Sequence, residues 1–534
     1  MPKYIFVTGG VLSGIGKGIA AASIGALFSA AGKKVFHQKF DGYLNVDPGT
    51  LSPYRHGEVF VTDDGAETDL DLGHYERFSD ASLTKLSSIT SGKLYSEILE
   101  KERRGDFLGR DVQVVPHLTD LVKEKIVSAA VDCKCDIMIV EIGGTVGDLE
   151  NGYLLEAIRQ LRTDLGYNNT FFVHLTYIPF LDTSQELKSK PTQSSVRELR
   201  SLGIQPDMIM ARADKKIPKD ILDKIALFCD VKPEMVIPAP TIKSIYQVPI
   251  NFDKEQVAQK IARHFKMLLP SLDMKDWKSL DKKIQKISKA IPIALVGKYT
   301  ELNDSYLSVI EATKAAAYKN DVKAEIVAID SVKLEEKDKK EWDRLKKCRG
   351  IIVPGGFGSR GIEGKIAAAR YCRENKVPYL GLCLGSQIMA IEFARHVVFK
   401  NQSCNSEEFD QSCEYPIVHI MEEQKGVTKK GATMRLGVYP CVLNKESKSY
   451  KLYGQKKISE RHRHRFEFNN SYREQMEKNG WVIAGTSPDG KLVEIVEIKD
   501  HPFMVGSQFH PEFKSRPLRP HPLFLGFIKT ATKG

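Results

Sequence analysis

A short apolar strand that runs directly into a glycine-rich loop and then an alanine-rich helix is the strongest constraint on how this chain folds. Residues 4–8 read Tyr-Ile-Phe-Val-Thr, the loop 9–18 carries Lys17 among its glycines, and the helix-favouring stretch covers 19–31. Such a turn can wrap backbone N–H groups and one ammonium group around nucleotide phosphates at a helix N-terminus. The sequence therefore predicts an α/β fold with a phosphate site after its first strand.

The loop departs from the strict phosphate-binding pattern G-x-x-x-x-G-K-[ST] at two positions. Val11 stands where the first glycine belongs, and Gly18 stands where a hydroxyl side chain would bind Mg²⁺. We infer that the phosphates are still bound and that carboxylates elsewhere hold the metal. Asp71 and Glu141 are the candidates, although Asp71 taken alone is equally typical of a solvated loop.

Strands continue to alternate with helical stretches through the first half of the chain. We predict further strands at 34–40, 112–116, 137–140 and 171–178. This alternation implies a parallel sheet with helices on both faces and ligands beyond the carboxyl ends of the strands. The run at 188–193 holds two lysines, which indicates either a phosphate between them or a solvated loop.

The charged segment at 267–290 lacks the alternation of strands and helices, and we interpret it as a linker. Beyond it, residues 291–298 open a second α/β unit, with strands near 324–329, 350–354, 377–382 and 503–509. We therefore predict two doubly wound parallel-sheet domains, at 1–266 and 291–534, since 534 residues are too many for one core.

Composition narrows the possible partners. The nine cysteines are scattered, no apolar run reaches about 18 residues, and no secretory pattern opens the chain. We expect a cytosolic protein with free thiols and no membrane partner. The net charge of +11 is interleaved with acids, which favours small phosphorylated ligands over nucleic acid. A metal at the isolated pair Cys133 and Cys135 is not expected.

The second half contains the elements of a thiol nucleophile. In Gly381-Leu382-Cys383-Leu384-Gly385, small residues frame a cysteine after an apolar run, as a sharp strand-to-helix turn requires. A buried core thiol explains this stretch alone equally well. Upstream, the glycine turn at 354–358 can present N–H groups to an oxyanion. Downstream, His510 and Glu512 would share one face of an extended segment, so that Glu512 orients a general base.

A basic run at 460–465 alternates arginine and histidine. By composition it resembles a nucleic-acid patch. In a strand, however, the alternation would place Arg461, Arg463 and Arg465 on one face, where one of them could form a bidentate pair with the carboxylate of a small ligand.

Together, the glycine turn, the cysteine frame and the His-Pro-Glu run resemble a triad-type glutamine amidotransferase. With both halves considered, the chain resembles the CTP synthase family over about 1–530, by the motifs at 57–78, 101–109, 140–150, 190–193, 431–437 and 460–467. A cobyrinic-acid-type amide synthase shares the two-part plan but does not account for the motifs at 190–193 and 460–467. An inactive, filament-forming homologue is the other alternative.

The resemblance implies a P-loop-type amidoligase joined to the glutaminase. ATP would phosphorylate the 4-oxygen of UTP, and ammonia from glutamine would displace the phosphate to give CTP. The family also implies Mg²⁺, activation by GTP, inhibition by CTP, an internal ammonia channel, and a homotetramer that sometimes stacks into filaments.

Site residues carry over position by position. The glutaminase would use Cys383, His510 and Glu512, with Gly356 and Leu384 in the oxyanion hole and glutamine bound by Gly356, Leu384, Gln387, Glu408 and Arg463. ATP would be held by Gly14, Ile15, Gly16, Lys17, Gly18, Ile19, Lys39, Asp71 and Thr241, and Mg²⁺ by Asp71 and Glu141. UTP or CTP would contact Ser13, Asp148, Leu149, Glu150, Lys188, Ser189, Lys190, Pro191, Thr192, Gln193 and Lys224. GTP would contact Arg360 in the lid 358–364, and the ammonia channel would be lined by His56, Val59 and Leu108.

Three positions depart from the family pattern. Gly42 replaces a proline beside Lys39, Ser386 replaces a methionine near the glutamine pocket, and Thr241 replaces an acid at the ATP site. None of them is the nucleophile, a metal acid or the loop lysine, so we expect activity to survive.

Overall fold

The structure, a computed structural model, describes residues 1–79, 81–298, 303–426 and 432–533. The chain forms two compact units. The first comprises Met1–Pro48 and Asp71–Asp281, and the second comprises Gly49–Leu70 and Lys282–Gly534. Across the described ranges, no helix combines the length and apolar character needed to cross a membrane.

The first unit is built on a seven-stranded parallel sheet. In chain order its strands are β1 (Lys3–Gly9), β2 (Val35–Asp41), β3 (Ser88–Thr90), β4 (Ile137–Ile142), β5 (Thr170–Tyr177), β6 (Met208–Ala213) and β7 (Val236–Pro240). Their order across the sheet is β7-β6-β5-β1-β4-β2-β3, which puts the first strand at the centre. The glycine loop after β1 therefore opens at the middle of the carboxyl edge.

Helices cover both faces of this sheet. Phe6, Phe36 and Met138 pack on one face with the helices Thr119–Asp132 and Gly152–Leu165. Because alternate strand residues point to opposite faces, His37 points the other way and meets Gly25 of the helix Lys17–Ala30. The unit's other helices are Asp71–Ser79, Ser91–Arg103, Lys190–Ser201, Lys219–Cys229, Val248–Lys254 and Val257–His264.

The strand predicted at 112–116 is wrong. Val114–Leu118 forms a π-helical turn, and Val114 and Val115 are each 47% exposed. The strand beside β2 is instead Ser88–Thr90. The valine-rich composition favoured a strand, but these valines do not enter the sheet core, and β propensity depends on such packing.

The second unit contains a nine-stranded sheet with a parallel half and an antiparallel half. Its strands are β8 (Ala290–Gly297), β9 (Lys323–Asp330), β10 (Gly350–Val353), β11 (Tyr379–Leu382), β12 (Arg435–Leu443), β13 (Lys457–His464), β14 (Trp481–Thr486), β15 (Val493–Ile498) and β16 (Met504–Ser507). Across the sheet they run β9-β8-β10-β11-β16-β15-β14-β12-β13, and the first five are parallel. The predicted parallel sheet is confirmed, with an antiparallel extension that the prediction lacked.

Helices and smaller strands complete the second unit. The helix Lys275–Lys286 leads into it, and its own longer helices are Leu307–Lys319, Lys339–Lys346, Ile362–Asn375, Leu384–Phe393 and Pro522–Ala531. A three-stranded sheet is formed by Cys404–Ser406, Tyr415–Ile420 and Phe466–Phe468. Shorter helices are Ser331–Glu335, Lys448–Tyr453 and Arg473–Lys478.

Residues 49–70, here called the strap, belong to the second unit although they lie early in the sequence. The strap contains the helix Pro53–His56 and a hairpin of Phe60–Val61 with Glu67–Thr68. It is anchored by Glu58, whose carboxylate accepts the backbone N–H of Ser308 at 2.8 Å, and by the Asp63 carbonyl, which accepts the N–H of Val438 at 2.9 Å. Each predicted domain is continuous in sequence, so the prediction assigns the strap to the first domain.

We expect Gly364→Ala to destabilise the second unit. A Cβ atom at this position would overlap the carbonyl oxygen of Ser331, a backbone atom that cannot move aside cheaply. Overpacking of this kind costs about 1–3 kcal/mol. Urea unfolding measures the loss, and Gly152→Ala, where a Cβ atom would meet open space, serves as the control. Equal unfolding midpoints for the two variants would contradict the prediction.

Candidate active sites

Cys383 lies at a sharp turn between β11 and the helix Leu384–Phe393. Its backbone has φ 51° and ψ −102°, a strained conformation for a residue with a side chain. Its N–H donates to the carbonyl of Ser507 at 2.7 Å, and a Cβ atom at Gly381 would overlap the backbone of Gly385. Gly381 is therefore required by the tightness of the turn, whereas a Cβ atom at Gly385 would overlap the carbonyl oxygen of Val353 in the neighbouring strand.

His510 and Glu512 form a buried pair beside this turn. Nδ1 of His510 lies 2.7 Å from Oε1 of Glu512. The predicted contact is present, but an extended segment does not produce it: His510 begins the 3₁₀ turn Pro511–Lys514, which brings the two side chains together. With Nδ1 occupied, Nε2 has no hydrogen-bond partner within the described residues and is available to the thiol.

The charge state of His510 follows from its neighbours. Burial lowers the pKa of His510, but the Glu512 carboxylate and the sulfur of Cys383 raise it to about 10. The imidazole is therefore protonated at neutral pH and can stabilise a thiolate or donate a proton.

A cavity of about 390 Å³ opens beside the His510–Glu512 pair, and all the residues that line it belong to the second unit. It is lined by Gly49, Leu51, Ser52, Pro53, Glu58 and Val59 of the strap and by Ser305, Tyr306, Val309, Pro354, Gly355, Gly356, Phe357, Cys383, Arg463, His510, Glu512 and Phe513. A Cβ atom at Gly355 would lie 3.6 Å from Cβ of Cys383 and 2.8 Å from Cε1 of His510. The glycine turn, the cysteine and the histidine thus meet at one point.

The other residues predicted to bind glutamine have different surroundings. Arg463 lines the cavity. Glu408 accepts the N–H of Gly358 at 2.7 Å, and burial raises the pKa of its carboxyl group. Gln387 lies outside the cavity lining, where its amide donates to the carbonyl of Phe466 at 2.9 Å. Ser386 also lies outside that lining and packs against Gly506.

Two nearby residues were not predicted. The side-chain amide of Gln508 donates to Sγ of Cys383 at 3.7 Å, and its place two residues before His510 was an available signal. Lys365 is only 1% exposed, and burial lowers its pKa to about 7, with Lys298 acting in the same direction. Its ammonium group would lie 3.9 Å from a Cβ atom at Gly356. Lysine is rarely buried, so the sequence carried no sign of this placement.

The basic run at 460–465 is engaged in internal contacts. Arg461 donates through Nε to Asp63 at 2.6 Å, and Arg463 donates through Nε to Glu67 at 2.8 Å. Arg465 follows the end of β13 and donates to Gln424 at 2.7 Å. The predicted bidentate pair with the carboxylate of glutamine stays a prediction. The carboxylates that Arg461 and Arg463 contact in the structure, Asp63 and Glu67, both belong to the strap.

In the first unit, five charged side chains converge at the carboxyl edge of the sheet. Lys39 of β2 lies 2.6 Å from Asp71 and 3.3 Å from Asp41. Glu141 of β4 accepts a hydrogen bond from the Tyr75 hydroxyl. Burial and, after it, the neighbouring Asp71 carboxylate raise the pKa of Glu141 to about 8. Burial also lowers the pKa of Lys17, whose ammonium donates to the carbonyl of Gly144.

The absence of a hydroxyl at position 18 has a steric explanation. A Cβ atom at Gly18 would overlap Oδ1 of Asp71, so a carboxylate fills the space in which a serine or threonine would lie. The carboxylates of Asp71 and Glu141 offer hard oxygen donors, which suit Mg²⁺ when phosphate oxygens supply further ligands. Within the described residues, no group of three or more acidic, histidine or cysteine side chains is arranged to hold a metal ion. A metal bound by these two carboxylates would need further ligands from elsewhere.

The remaining predicted nucleotide residues lie in loops and helix ends of the first unit. Lys188 pairs with Glu186 at 3.1 Å, so its charge is compensated without an anion, and Lys190 begins the helix Lys190–Ser201. Gln193 donates to Ser189 at 3.1 Å. Asp148, Leu149 and Glu150 form a short turn, Lys224 is exposed on its helix, and Ser13 is exposed in the glycine loop.

The departures at Gly42 and Thr241 have local explanations. A Cβ atom at Gly42 would overlap Oδ1 of Asn151, so the missing side chain makes room for the turn 148–151. The Thr241 hydroxyl donates a hydrogen bond to Asp214 at 2.8 Å, so an acidic side chain is in direct contact with the position where the family has an acid. A small apolar cleft lined by Gly16, Ile19, Pro240 and Phe252 lies beside this pair.

The predicted channel and activator residues are distributed as follows. Val59 lines the cavity at Cys383, and His56 ends the strap helix. Leu108 is 89% exposed in a loop of the first unit. Arg360 donates to the carbonyl of Lys298 at 3.2 Å.

Comparisons with known proteins cover the whole chain. The family described as CTP synthase N-terminus matches residues 3–267, and class-I glutamine amidotransferase matches 301–530. A CTP synthase from Shouchella clausii is 55% identical over 530 residues, covering 99% of this chain and 98% of that protein. The one from Bacillus subtilis is 52% identical, with coverage of 99% and 98%. The glutaminase domain of Trypanosoma brucei CTPS with bound acivicin is 38% identical over 46% of this chain and 94% of that one, with a TM-score of 0.43.

We expect Glu512→Gln to lower the pKa of His510 toward or below its ordinary value, because the raising effect of the carboxylate is lost while burial still disfavours the imidazolium. In the native protein the His510–Glu512 pair stabilises the fold at neutral pH and loses this effect as the pH rises through about 10. The imidazole carbon resonance of His510, followed by NMR from pH 5 to about 11.5, measures the midpoint in the native protein and in the variant.

The control is Glu460→Gln, which removes the carboxylate 3.0 Å from another buried histidine, His521. It should leave the His510 midpoint unchanged. An unaltered His510 midpoint in Glu512→Gln would show that the carboxylate does not set its charge.

Proposed function

The chain belongs to the CTP synthase family, and from this premise we propose how its two units make CTP from UTP with nitrogen taken from glutamine. The observation that carries the proposal is the meeting of Cys383, the His510–Glu512 pair and the Gly355–Gly356 turn at one cavity. The charged cluster around Lys17 in the first unit supports the second reaction.

In the glutaminase reaction the Cys383 thiolate attacks the side-chain amide carbon of glutamine. The oxyanion that forms would accept hydrogen bonds from the backbone N–H groups of Gly356 and Leu384. Their closeness supports this role, since a Cβ atom at Gly356 would lie 3.5 Å from Cδ2 of Leu384. The His510 imidazolium gives its proton to the departing nitrogen, and ammonia leaves a thioester on Cys383. Water, deprotonated by His510, then releases glutamate and restores the thiolate. Glu408 binds the α-ammonium group of glutamine, and Arg463 binds its α-carboxylate group. Gln387, which lies outside the cavity lining, supports the glutamine site from there.

In the amidoligase reaction the 4-oxygen of UTP attacks the γ-phosphorus of ATP, and ADP leaves. Ammonia then adds at C4 and inorganic phosphate departs, which gives CTP. Lys17 and the loop Gly14, Ile15, Gly16, Gly18 and Ile19 hold the ATP phosphates, and Lys39 neutralises charge on the transferred group. Asp71 and Glu141 would hold Mg²⁺, which supplies charge neutralisation between the phosphates. Thr241, with the Asp214 carboxylate that its hydroxyl contacts, would hold the adenosine.

UTP, and CTP as inhibitor, occupy the loops that contain Ser13, 148–150, 188–193 and Lys224. Val59, His56 and Leu108 line the ammonia channel by their match to the family's motifs, and Val59 also lines the cavity at Cys383. GTP activates through Arg360, and the enzyme assembles as a tetramer. These assignments rest on family membership and on the positions of the matching residues.

Cys383→Ala should abolish CTP formation from glutamine, by a factor of at least about 10³, because the nucleophile is lost. CTP formation from ammonium salts should be largely retained, since the first unit performs that step. The assay measures CTP by product mass with each nitrogen source. Loss of both activities would overturn the two-reaction proposal, and absence of CTP with either source from the native protein would favour an inactive homologue or another amide synthase.

Gly18→Ser restores the hydroxyl of the usual phosphate loop, yet we expect it to lower ammonium-dependent CTP formation by about 10²-fold or more, since Asp71 would be displaced from a charge-compensated position. Glutamine hydrolysis assayed as glutamate release should persist. A Gly18→Ser enzyme with native CTP formation would show that the steric contact with Asp71 is unimportant.

A further inference from the structure

Arg463 and Glu67 form a buried ion pair at the edge of the cavity that holds Cys383. Glu67 lies in the strap, and its side chain is 0% exposed. Its second oxygen accepts the N–H of Ala432 at 3.2 Å and lies in space left by the missing side chain of Gly49. The carboxylate is therefore held by the protein from two sides and is itself fixed in position.

The pair leaves one edge of the guanidinium available. Nε of Arg463 donates to Glu67 at 2.8 Å, and Nη2 donates to the carbonyl of Gly49 at 3.0 Å. In the described part of the chain, Nη1 makes no hydrogen bond. The guanidinium also stacks over Phe357 of the glycine turn, 5.1 Å from the ring centre.

We infer that Glu67 is a positioning residue for the amide substrate: it holds the Arg463 guanidinium so that its remaining N–H groups face the cavity and receive the α-carboxylate of glutamine. The inference rests on the proposed glutaminase function and extends it to a residue outside the cavity lining.

The physical reason is preorganisation. A free arginine side chain has several rotatable bonds and would have to be ordered each time a carboxylate binds. Three contacts order it beforehand: Glu67, the Gly49 carbonyl and the Phe357 ring. Glu67 already neutralises much of the charge of Arg463. The Arg463 guanidinium therefore contributes to carboxylate binding more through the fixed orientation of its N–H groups than through charge attraction.

A neighbouring ion pair provides a matched control. Asp63, four residues earlier in the strap, pairs with Arg461 at 2.6 Å. Neither residue lines the cavity. If Glu67 served only to attach the strap to the rest of the unit, removing either carboxylate would have the same consequence.

The experiment measures glutamate release as a function of glutamine concentration, with ammonium-dependent CTP formation and thermal unfolding measured in parallel. Glu67→Gln should raise the KM for glutamine at least about tenfold, the factor that about 1.4 kcal/mol of binding free energy carries, with kcat within about twofold. Asp63→Asn should leave this KM within about twofold. The double variant Glu67→Gln/Arg463→Met should have the same KM as Arg463→Met alone, since Glu67 acts through Arg463.

An unchanged KM in Glu67→Gln, equal shifts in Glu67→Gln and Asp63→Asn, or additive effects in the double variant would each overturn the inference. If Glu67→Gln lowers the unfolding temperature by more than about 5 °C, Glu67→Asp is used, with a several-fold rise in KM expected and an unchanged KM counting against the inference. Absence of glutamate release by the native enzyme would instead overturn the proposed function and the inference with it.

Discussion

The glutaminase site depends on three parallel strands that lie side by side. β10, β11 and β16 are neighbours in the sheet, so the segments that follow them leave the same edge. The first segment is the glycine turn, the second begins with Cys383, and the third leads to His510. Because a parallel sheet aligns the carboxyl ends of its strands, residues more than a hundred positions apart in sequence meet around one cavity. The backbone hydrogen bond from Cys383 to Ser507 fixes two of these segments directly.

Both sites place charges in buried surroundings and compensate them locally. In the second unit, burial lowers the pKa of His510, and the neighbouring Glu512 carboxylate and Cys383 sulfur reverse this effect. In the first unit, Lys39 lies between two carboxylates while Glu141 remains adjacent to Asp71, and the pKa of Glu141 is raised to about 8. A buried charge is costly unless paired, so such groupings are typical of sites where charge changes during a reaction.

The strap gives the cavity part of its wall. It carries Glu58, Asp63 and Glu67, and each of these contacts the remainder of the second unit through a hydrogen bond or an ion pair. Its last residue, Leu70, directly precedes Asp71, which begins a helix of the first unit. The same short piece of chain therefore contributes to the glutaminase cavity and leads into the acid that lies against Gly18.

Local patterns in the sequence were sufficient for the glycine loop with Lys17, the cysteine turn and the family resemblance, because each depends on a few adjacent residues with strict steric requirements. The same local view made 112–116 a strand, since composition alone does not reveal whether valines reach a core. Tertiary structure decided that Gly18 is small because Asp71 fills its space, that a 3₁₀ turn joins His510 to Glu512, and that Arg463 pairs with a residue 396 positions away. These contacts join distant segments, and only the packing of the folded chain determines which distant side chains meet.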